Sequence, residues 1–337
     1  MEYILLFPIL LAFVITIVLM PLWIKKCRQT GLVWEDMNKY GHPKIVASSG
    51  GIVVLSGFVL GVLFYIAFRT FVIHSTENSL AIFALLTSIL ILAVVGLVDD
   101  LMGWKNGGLS KNLRLLLIIF ASIPLIVINA GYSHMSFPLI GEIELGFWYV
   151  LFFIPLGVTG ATATYNFLAG LNGLEASQGI IILTYLSFIS YLTGSPWLAM
   201  IGMIMVASLI GFYIFNKYPS TVFPGDILTY SVGALIAIMS ILGNFEKIAV
   251  VVFIPYIMET ILKLRGGLKK QSFGKPNEDG SLELQYNKIY SLNHLGIVIL
   301  KKFKKKVFEK DVVYLINIFQ ITIIILSYLL FKNSIYN

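Results

Sequence analysis

A chain of 337 residues that is 58% hydrophobic and only 12% charged has too few polar side chains to cover a water-soluble globule of that length. Its 24 Lys and Arg outnumber its 17 Asp and Glu for a formal charge of +7, but the basic residues are scattered over several short segments, which disfavours a nucleic-acid surface. The lone Cys27 excludes a disulfide framework and a multi-cysteine metal site.

About 20 apolar residues are needed to cross the hydrocarbon of a bilayer. Taken in chain order, ten segments qualify, at roughly 4–23, 50–68, 79–98, 113–131, 147–165, 178–195, 197–215, 227–243, 247–264 and 312–331. The first is followed by Lys25, Lys26 and Arg28 and shows no small-residue cleavage site, so it reads as a retained helix. The runs are continuous rather than alternating, which excludes a β-barrel. The expected fold is an all-α polytopic membrane protein of about ten transmembrane helices, a single domain over 1–337, with a loop at 265–310 between the last two spans.

Basic residues collect on the cytoplasmic side of membrane helices. If the loops after odd-numbered spans are cytoplasmic, they hold 21 of the 24 basic residues, leaving only Arg69, Lys247 and Lys332 opposite. The same assignment puts every polar island on one face: 36–51 after span one, Asp99 and Asp100 at the end of span three, 166–178 (N-F-L-A-G-L-N-G-L-E-A-S-Q) after span five, and 223–226 (F-P-G-D) after span seven. Loops 75–78 and 131–144, on the other side, are short or bland. One-sided clustering predicts an active site on the cytoplasmic face.

The islands 36–39 (D-M-N-K), 98–101 (V-D-D-L), 166–178 and 218–226 (Y-P-S-T-V-F-P-G-D) resemble the polyprenyl-phosphate N-acetylhexosamine-1-phosphate transferases over about residues 36 to 300. The run A-G-L-N-G-L-E-A at 169–176 is similar to the archaeal and eukaryotic branch, the UDP-GlcNAc–dolichyl-phosphate GlcNAc-1-phosphate transferases, where bacterial relatives write D-G-L-D-G-L-A. The resemblance implies ten helices, a magnesium cofactor with manganese as a substitute, and often a homodimer. It also implies a reaction in which dolichyl or another polyprenyl phosphate attacks the β-phosphate of UDP-GlcNAc, releasing UMP, as the first lipid-linked step of N-glycosylation.

By that resemblance Asp226 and Asn166 are the metal ligands, although Ala163 stands where the family has the first Asn of its N-x-x-N pair. One carboxylate and one amide oxygen suit magnesium, which keeps waters and takes further ligands from phosphates. Position alone also fits a helix N-cap for Asp226 and a helix-terminal turn for Asn166. Asp99 and Asp100 match the catalytic aspartate pair, holding lipid phosphate and metal in register. A base among them is optional, because a phosphate monoester with a second pKa of about 6 is mostly ionised at neutral pH. Both also fit a plain water-interface position. Arg114, with Lys111, matches the basic start of span four and is expected at the lipid phosphate, or else as an interfacial anchor.

For the UDP-sugar, Phe223 matches the aromatic that stacks on uracil, and Gly170 and Asn172 match positions lining the uridine. Gly173 and Glu175 are expected to hold the loop, Glu175 also fitting as a first-turn acid of span six. Loop 265–310 is expected to cover the sugar. It has K-K-Q-S-F-G-K-P-N at 269–277 where eukaryotic relatives have an Arg-His-Arg cluster, so the pyrophosphate contact is expected from Arg265, Lys269, Lys270 or Lys275. Attraction of these cations to anionic membrane lipids is the plainer alternative. His42, His74, His134 and His294 lack metal-ligand spacing. The reaction with UDP-GalNAc or another HexNAc donor, or for wall polysaccharide, remains open. So does, in a different class, a transporter for a lipid-linked sugar or nucleotide, which predicts midplane polar residues and an internal repeat.

Overall fold

The computed structural model describes residues 6–132, 134–137 and 141–336. Residues 4–5 of the first expected span and part of the 131–144 loop lie outside the described residues.

The chain is predominantly helical, and each expected span coincides with a helix or a pair of them. The helices are α1 (Phe7–Thr30), α2 (Gly51–Phe71), α3 (Ser79–Asn106), α4 (Lys111–Phe120), α5 (Ile123–Val127), α6 (Ile154–Tyr165), α7 (Leu174–Leu192), α8 (Pro196–Asn216), α9 (Asp226–Leu242), α10 (Glu246–Val252), α11 (Ile254–Arg265), α12 (Leu292–Lys301) and α13 (Glu309–Tyr336). A π-helical turn, Tyr149–Phe153, leads into α6. Among the described residues five helices are long and apolar enough to cross a membrane: Phe7–Thr30, Gly51–Phe71, Ser79–Trp104, Pro196–Asn216 and Glu309–Asn333.

Two expected spans are broken. The segment 113–131 divides into α4 and α5 ahead of Pro124, and 247–264 divides into α10 and α11 ahead of Pro255. Proline lacks an N–H and fits only the first turn of a helix, so each starts a new one. The loop expected at 265–310 contains α12, whose start Ser291 caps by accepting the Asn293 N–H at 3.2 Å. Short antiparallel hairpins also interrupt the all-helical expectation: β1 (Val33–Glu35) with β2 (Lys44–Ala47), β3 (His134–Phe137) with β4 (Gly141–Glu144), and β5 (Lys275–Pro276) with β6 (Leu282–Glu283).

The core centres on α9, where every residue from Ile227 to Ile241 is buried. It is flanked by α2, α3, α6, α7, α8 and α10. A helix apolar on all sides belongs in the middle of a bundle. The outer helices present apolar stripes instead. Along α1, Leu10, Val14, Val18 and Leu22 recur every four residues and are each more than half exposed. Ile318, Ile325 and Leu329, seven and four residues apart, are likewise each more than half exposed on α13. Such surfaces suit hydrocarbon rather than water.

The start of α9 lies directly against α3. A Cβ at Gly96 would come within 2.5 Å of the Ile227 backbone nitrogen, so only glycine lets the two backbones meet there. This contact lies one turn before Asp99. The Gly50 and Gly51 amides at the start of α2 donate to the Phe223 and Pro224 carbonyls, both at 2.9 Å. Phe223 also donates to the Ala47 carbonyl at 2.8 Å. The polar islands therefore gather at one end of the bundle.

Gly96→Ala should force α3 from α9, at a cost of about 1–3 kcal/mol by overpacking. A lower thermal midpoint of the purified protein in detergent, together with reduced turnover, is the expected result. An unchanged midpoint would show that the contact is not tight.

Candidate active site

Consecutive residues of a helix point about 100° apart, so Asp99 and Asp100 serve different neighbours. Asp99 is buried and faces α4: its Oδ1 accepts the Leu109 N–H at 2.8 Å and its Oδ2 pairs with Arg114 Nη2 at 2.7 Å. Asp100 faces α9, its Oδ1 accepting the Asp226 N–H at 2.7 Å. Asp100 thus satisfies the N-terminal amide of α9, and Gly225 occupies the N-cap position itself. Gly225 has φ +73°, and any side chain there would collide with Asp100 Oδ2. Asp226, read from sequence as a possible N-cap, is instead the first residue of α9, with its carboxylate turned to other partners.

Those partners are Asn166, whose Nδ2 donates to Asp226 Oδ1 at 3.1 Å, and Tyr230, whose hydroxyl is 3.1 Å from Asp226 Oδ2. The same hydroxyl is 3.2 Å from Asp99 Oδ2. It has one proton and can donate to only one of them at a time. Asp99, Asp100 and Asp226 thus form a linked trio with Arg114 as the guanidinium in direct contact, a net negative cluster. Asp100 Oδ2 is buried without a hydrogen-bond partner among the described residues.

The donor set fits magnesium in kind. It offers hard oxygens and uncompensated negative charge, and magnesium needs only one or two protein carboxylates beside phosphate oxygens and water. Among the described residues there is no group of three or more His, Cys, Asp or Glu that could hold a metal ion. Asn166 presents its NH2 to Asp226 while its oxygen accepts from the Thr229 hydroxyl at 3.1 Å. Ligation through that oxygen requires the amide to turn over.

Two cavities open beside the cluster. One, of about 490 Å³, is lined by Asp100, Asp226, Phe223, Trp34 and Asn38 among others. The other, of about 560 Å³, is lined by Lys111, Arg114, Lys263, Lys269 and Lys270, with Leu115, Ile118 and Phe167 as apolar wall. Asn166, Ala169, Gly170, Gln271 and Phe273 border both. Carboxylates therefore predominate in the first cavity, where Lys44 is the basic residue of the lining, while the charged residues lining the second are all basic.

Most of the expected site residues meet here: Asp100, Asn166, Gly170, Phe223 and Asp226 at the first cavity, Lys111, Arg114 and Lys270 at the second, and Asp99 behind them. Glu175 fills both roles weighed for it, standing in the first turn of α7 while its Oε1 accepts the Gly170 N–H at 2.9 Å. Three residues are elsewhere, among them Lys275, which stands exposed in β5 and borders neither cavity. Asn172, expected at the uridine, borders neither cavity. It is buried, with its N–H donating to Glu309 Oε1 at 2.6 Å and its Nδ2 to Asp36 Oδ2 at 3.1 Å. Buried carboxylates need donors, and Asn172 supplies two. Arg265 ends α11 exposed to solvent and away from both cavities.

Sequence reading passed over Tyr230, Lys263, Asn38 and Phe273. Tyr230 was findable, since it follows Asp226 by four helical residues and shares its face. Lys263 stands four after Glu259 and donates to Ser272 Oγ at 2.5 Å and the Lys270 carbonyl at 3.2 Å. Phe273 carries no local signal. Its loop is held in part by His294, which burial pushes below the ordinary imidazole range. The neutral ring fits its contacts, one nitrogen accepting the Tyr290 N–H at 3.3 Å and the other donating to the Phe273 carbonyl at 3.0 Å.

Arg114→Ala should destabilise the protein by about 1.5–3 kcal/mol, since it strands Asp99 without its charged partner. Tyr230→Phe should cost less, about 0.5–1.5 kcal/mol. Thermal unfolding of both variants checks the order, and an Arg114→Ala protein as stable as wild type would show that the pair contributes nothing to the fold.

The chain matches the glycosyl transferase family 4 model over residues 82–244, from α3 through α9. A Saccharolobus solfataricus protein provisionally named UDP-N-acetylglucosamine–dolichyl-phosphate N-acetylglucosaminephosphotransferase is 36% identical over 302 residues, 89% of either chain. A Sulfolobus acidocaldarius protein with the same provisional name is 32% identical over 302 residues, again 89% of either chain. A Dictyostelium discoideum protein carrying that name outright is 30% identical over 267 residues, 68% of this chain and 64% of its own. With the carboxylate cluster inside the matched region and similarity over nearly the whole length, the chain belongs to glycosyl transferase family 4.

Proposed function

We propose that the protein transfers N-acetylglucosamine-1-phosphate from UDP-N-acetylglucosamine to dolichyl or another polyprenyl phosphate, leaving UMP. The observation that carries this reading is the pair of cavities, one acidic and one basic, meeting at the wall of Asn166 and Gly170. Similarity to proteins named for this reaction supports it. A transfer between a soluble nucleotide and an insoluble lipid needs two binding sites that touch, and it needs them at a membrane face.

In this reading the nucleotide occupies the first cavity, with the half-buried Phe223 ring offering a flat face to uracil. The lipid phosphate occupies the second, where Lys111, Arg114, Lys263 and Lys270 balance its charge and the apolar wall receives the start of the chain. An oxygen of the lipid phosphate attacks the β-phosphorus, the bond between the two phosphates of UDP breaks, and UMP departs. Charge spreads over the transferred phosphoryl oxygens as this happens, and fixed cations beside them lower the barrier. Asp226 and, once its amide has turned over, Asn166 would hold magnesium, which would supply charge neutralisation at the pyrophosphate. Asp100 fixes the α9 N-terminus, and Asp99 holds Arg114 toward the second cavity. The phosphate needs no base to ionise, so the aspartates act by placement.

The same reading takes all ten helical segments as membrane crossings and puts the site on the cytoplasmic side, where the basic loops and UDP-sugars are. Segment 265–310 then covers the site from the water. The polar groups lie at one end of the bundle rather than at mid-depth, which favours the enzyme over a transporter.

The test is purified protein with dolichyl phosphate, magnesium and radiolabelled UDP-sugars. Label in the organic phase with equal UMP, lost in EDTA and restored by magnesium, is expected with UDP-GlcNAc. Release of UDP in place of UMP would refute phosphosugar transfer. Asp226→Ala should abolish turnover while the protein stays folded, and near-wild-type turnover in saturating magnesium would remove it from the metal site. Phe223→Ala should raise the UDP-GlcNAc KM by about tenfold or more, as loss of 1–3 kcal/mol of stacking implies, with a smaller fall in kcat. An unchanged KM would rule out stacking.

A further inference from the structure

Residues 272–274 form a strap along the wall that both cavities share, and Phe273 borders each of them. Facing the strap is the loop 169–170, which also borders both. Among the described residues no backbone hydrogen bond joins strap to loop. Two buried asparagines from distant parts of the chain join them instead.

Asn38 donates through Nδ2 to the Gly170 carbonyl at 2.5 Å and accepts the Gly274 N–H on Oδ1 at 3.1 Å. Asn293 spends both N–H bonds of its Nδ2, on the Ala169 carbonyl at 3.1 Å and the Ser272 carbonyl at 3.3 Å. Each amide thus has one arm on the loop and one on the strap. A primary amide is the side-chain group that can reach a carbonyl and an N–H, or two carbonyls, at once. Both residues are almost wholly buried, at 3% and 0% exposure; Asn293 borders neither cavity, and Asn38, which borders the first, has its amide nitrogen engaged with the loop and its amide oxygen with the strap. Asn293 Oδ1 is buried with no hydrogen-bond partner among the described residues, a cost that a side chain present only to fill space would not carry.

We propose that Asn38 and Asn293 are positioning residues that bridge strap and loop and thereby set the spacing between the groups bound in the two cavities. The proposal rests on the assignment of nucleotide sugar and lipid phosphate to those cavities. Each substrate keeps its own contacts when a bridge is cut, but the distance between the attacking oxygen and the β-phosphorus is no longer fixed. A displacement of about 1 Å costs on the order of a hundredfold in rate, so the loss falls on kcat rather than on either KM.

The experiment compares wild type, Asn38→Ala, Asn293→Ala and the double variant, with UDP-GlcNAc and dolichyl phosphate as substrates. Each single variant is expected to lose about tenfold or more in kcat with both KM values within about threefold. The double variant is expected to lose little more than the worse single, because either cut frees the same strap. Losses that multiply, or raised KM with kcat intact, would overturn the proposal. Hydrogen exchange of the substrate-free protein is the second arm. The Gly274 amide in Asn38→Ala, and the amides of 272–274 in Asn293→Ala, should exchange about tenfold faster while those of α9 do not change. Unchanged strap exchange in both variants would also overturn it. A wild type inactive on these substrates would sink the substrate assignment, while the exchange arm would still decide whether the bridge exists. Should the alanine variants not fold, Asn38→Asp, which keeps the acceptor for Gly274 and loses the donor to Gly170, and Asn293→Ser serve for both arms.

Discussion

The hydrogen bond from the Asp226 amide to Asp100 is the contact on which the rest of the site depends. It joins the first residue of the most buried helix to the polar end of α3, next to a glycine that lets the two backbones touch. The N-terminus of a helix carries a partial positive charge and unpaired amides. A carboxylate from a neighbouring helix is a favourable partner for it, and here that partner also brings Asp99 and Arg114 into line. Shifting α9 along its axis would break this bond and take Asp226 away from Asp99 and Asp100, which both stand on α3.

A second constraint is electrostatic. Three carboxylates close together are unfavourable unless cations balance them. Arg114 answers part of that charge from within the protein. The remainder is what makes the cluster suited to a divalent ion and, through it, to phosphate. Lys111, Lys263, Lys269 and Lys270 lie across the shared wall, so most of the basic charge is kept apart from the carboxylates. A phosphoryl group at their boundary would meet both.

The wall that the two cavities share is irregular backbone, at 166–170 and 271–273. Irregular backbone stays ordered when side chains take over the hydrogen bonds that a sheet would supply. Asn38, Asn293, Glu175 and His294 do this for the strap and loop. Asn172, Asp36, Lys39 and Glu309 do the same between the segment that follows α1 and the start of α13, where Lys39 Nζ is 2.5 Å from Glu309 Oε2. These networks link positions more than a hundred residues apart, which is why asparagines that look like loop polarity in sequence prove to be internal ties.

The sequence by itself determined the helices, their approximate limits and the gathering of polar islands at one end. Each follows from neighbours along the chain: a run long enough for a membrane, a charge that belongs at an interface. The trio of Asp99, Asp100 and Asp226 was legible as residues because charged side chains at the ends of apolar helices are costly and stand out. Only the tertiary structure decided which way each pointed. Nothing local distinguishes Asn38, which bridges two loops beside the cavity, from Asn172, which serves buried carboxylates away from it. Both are small polar residues in loops between helices, and their roles depend on partners brought near by the packing of α9 against α3 and α6. Phe273 and the division into two cavities were invisible for the same reason: a wall shared by segments a hundred residues apart exists only once the chain has folded.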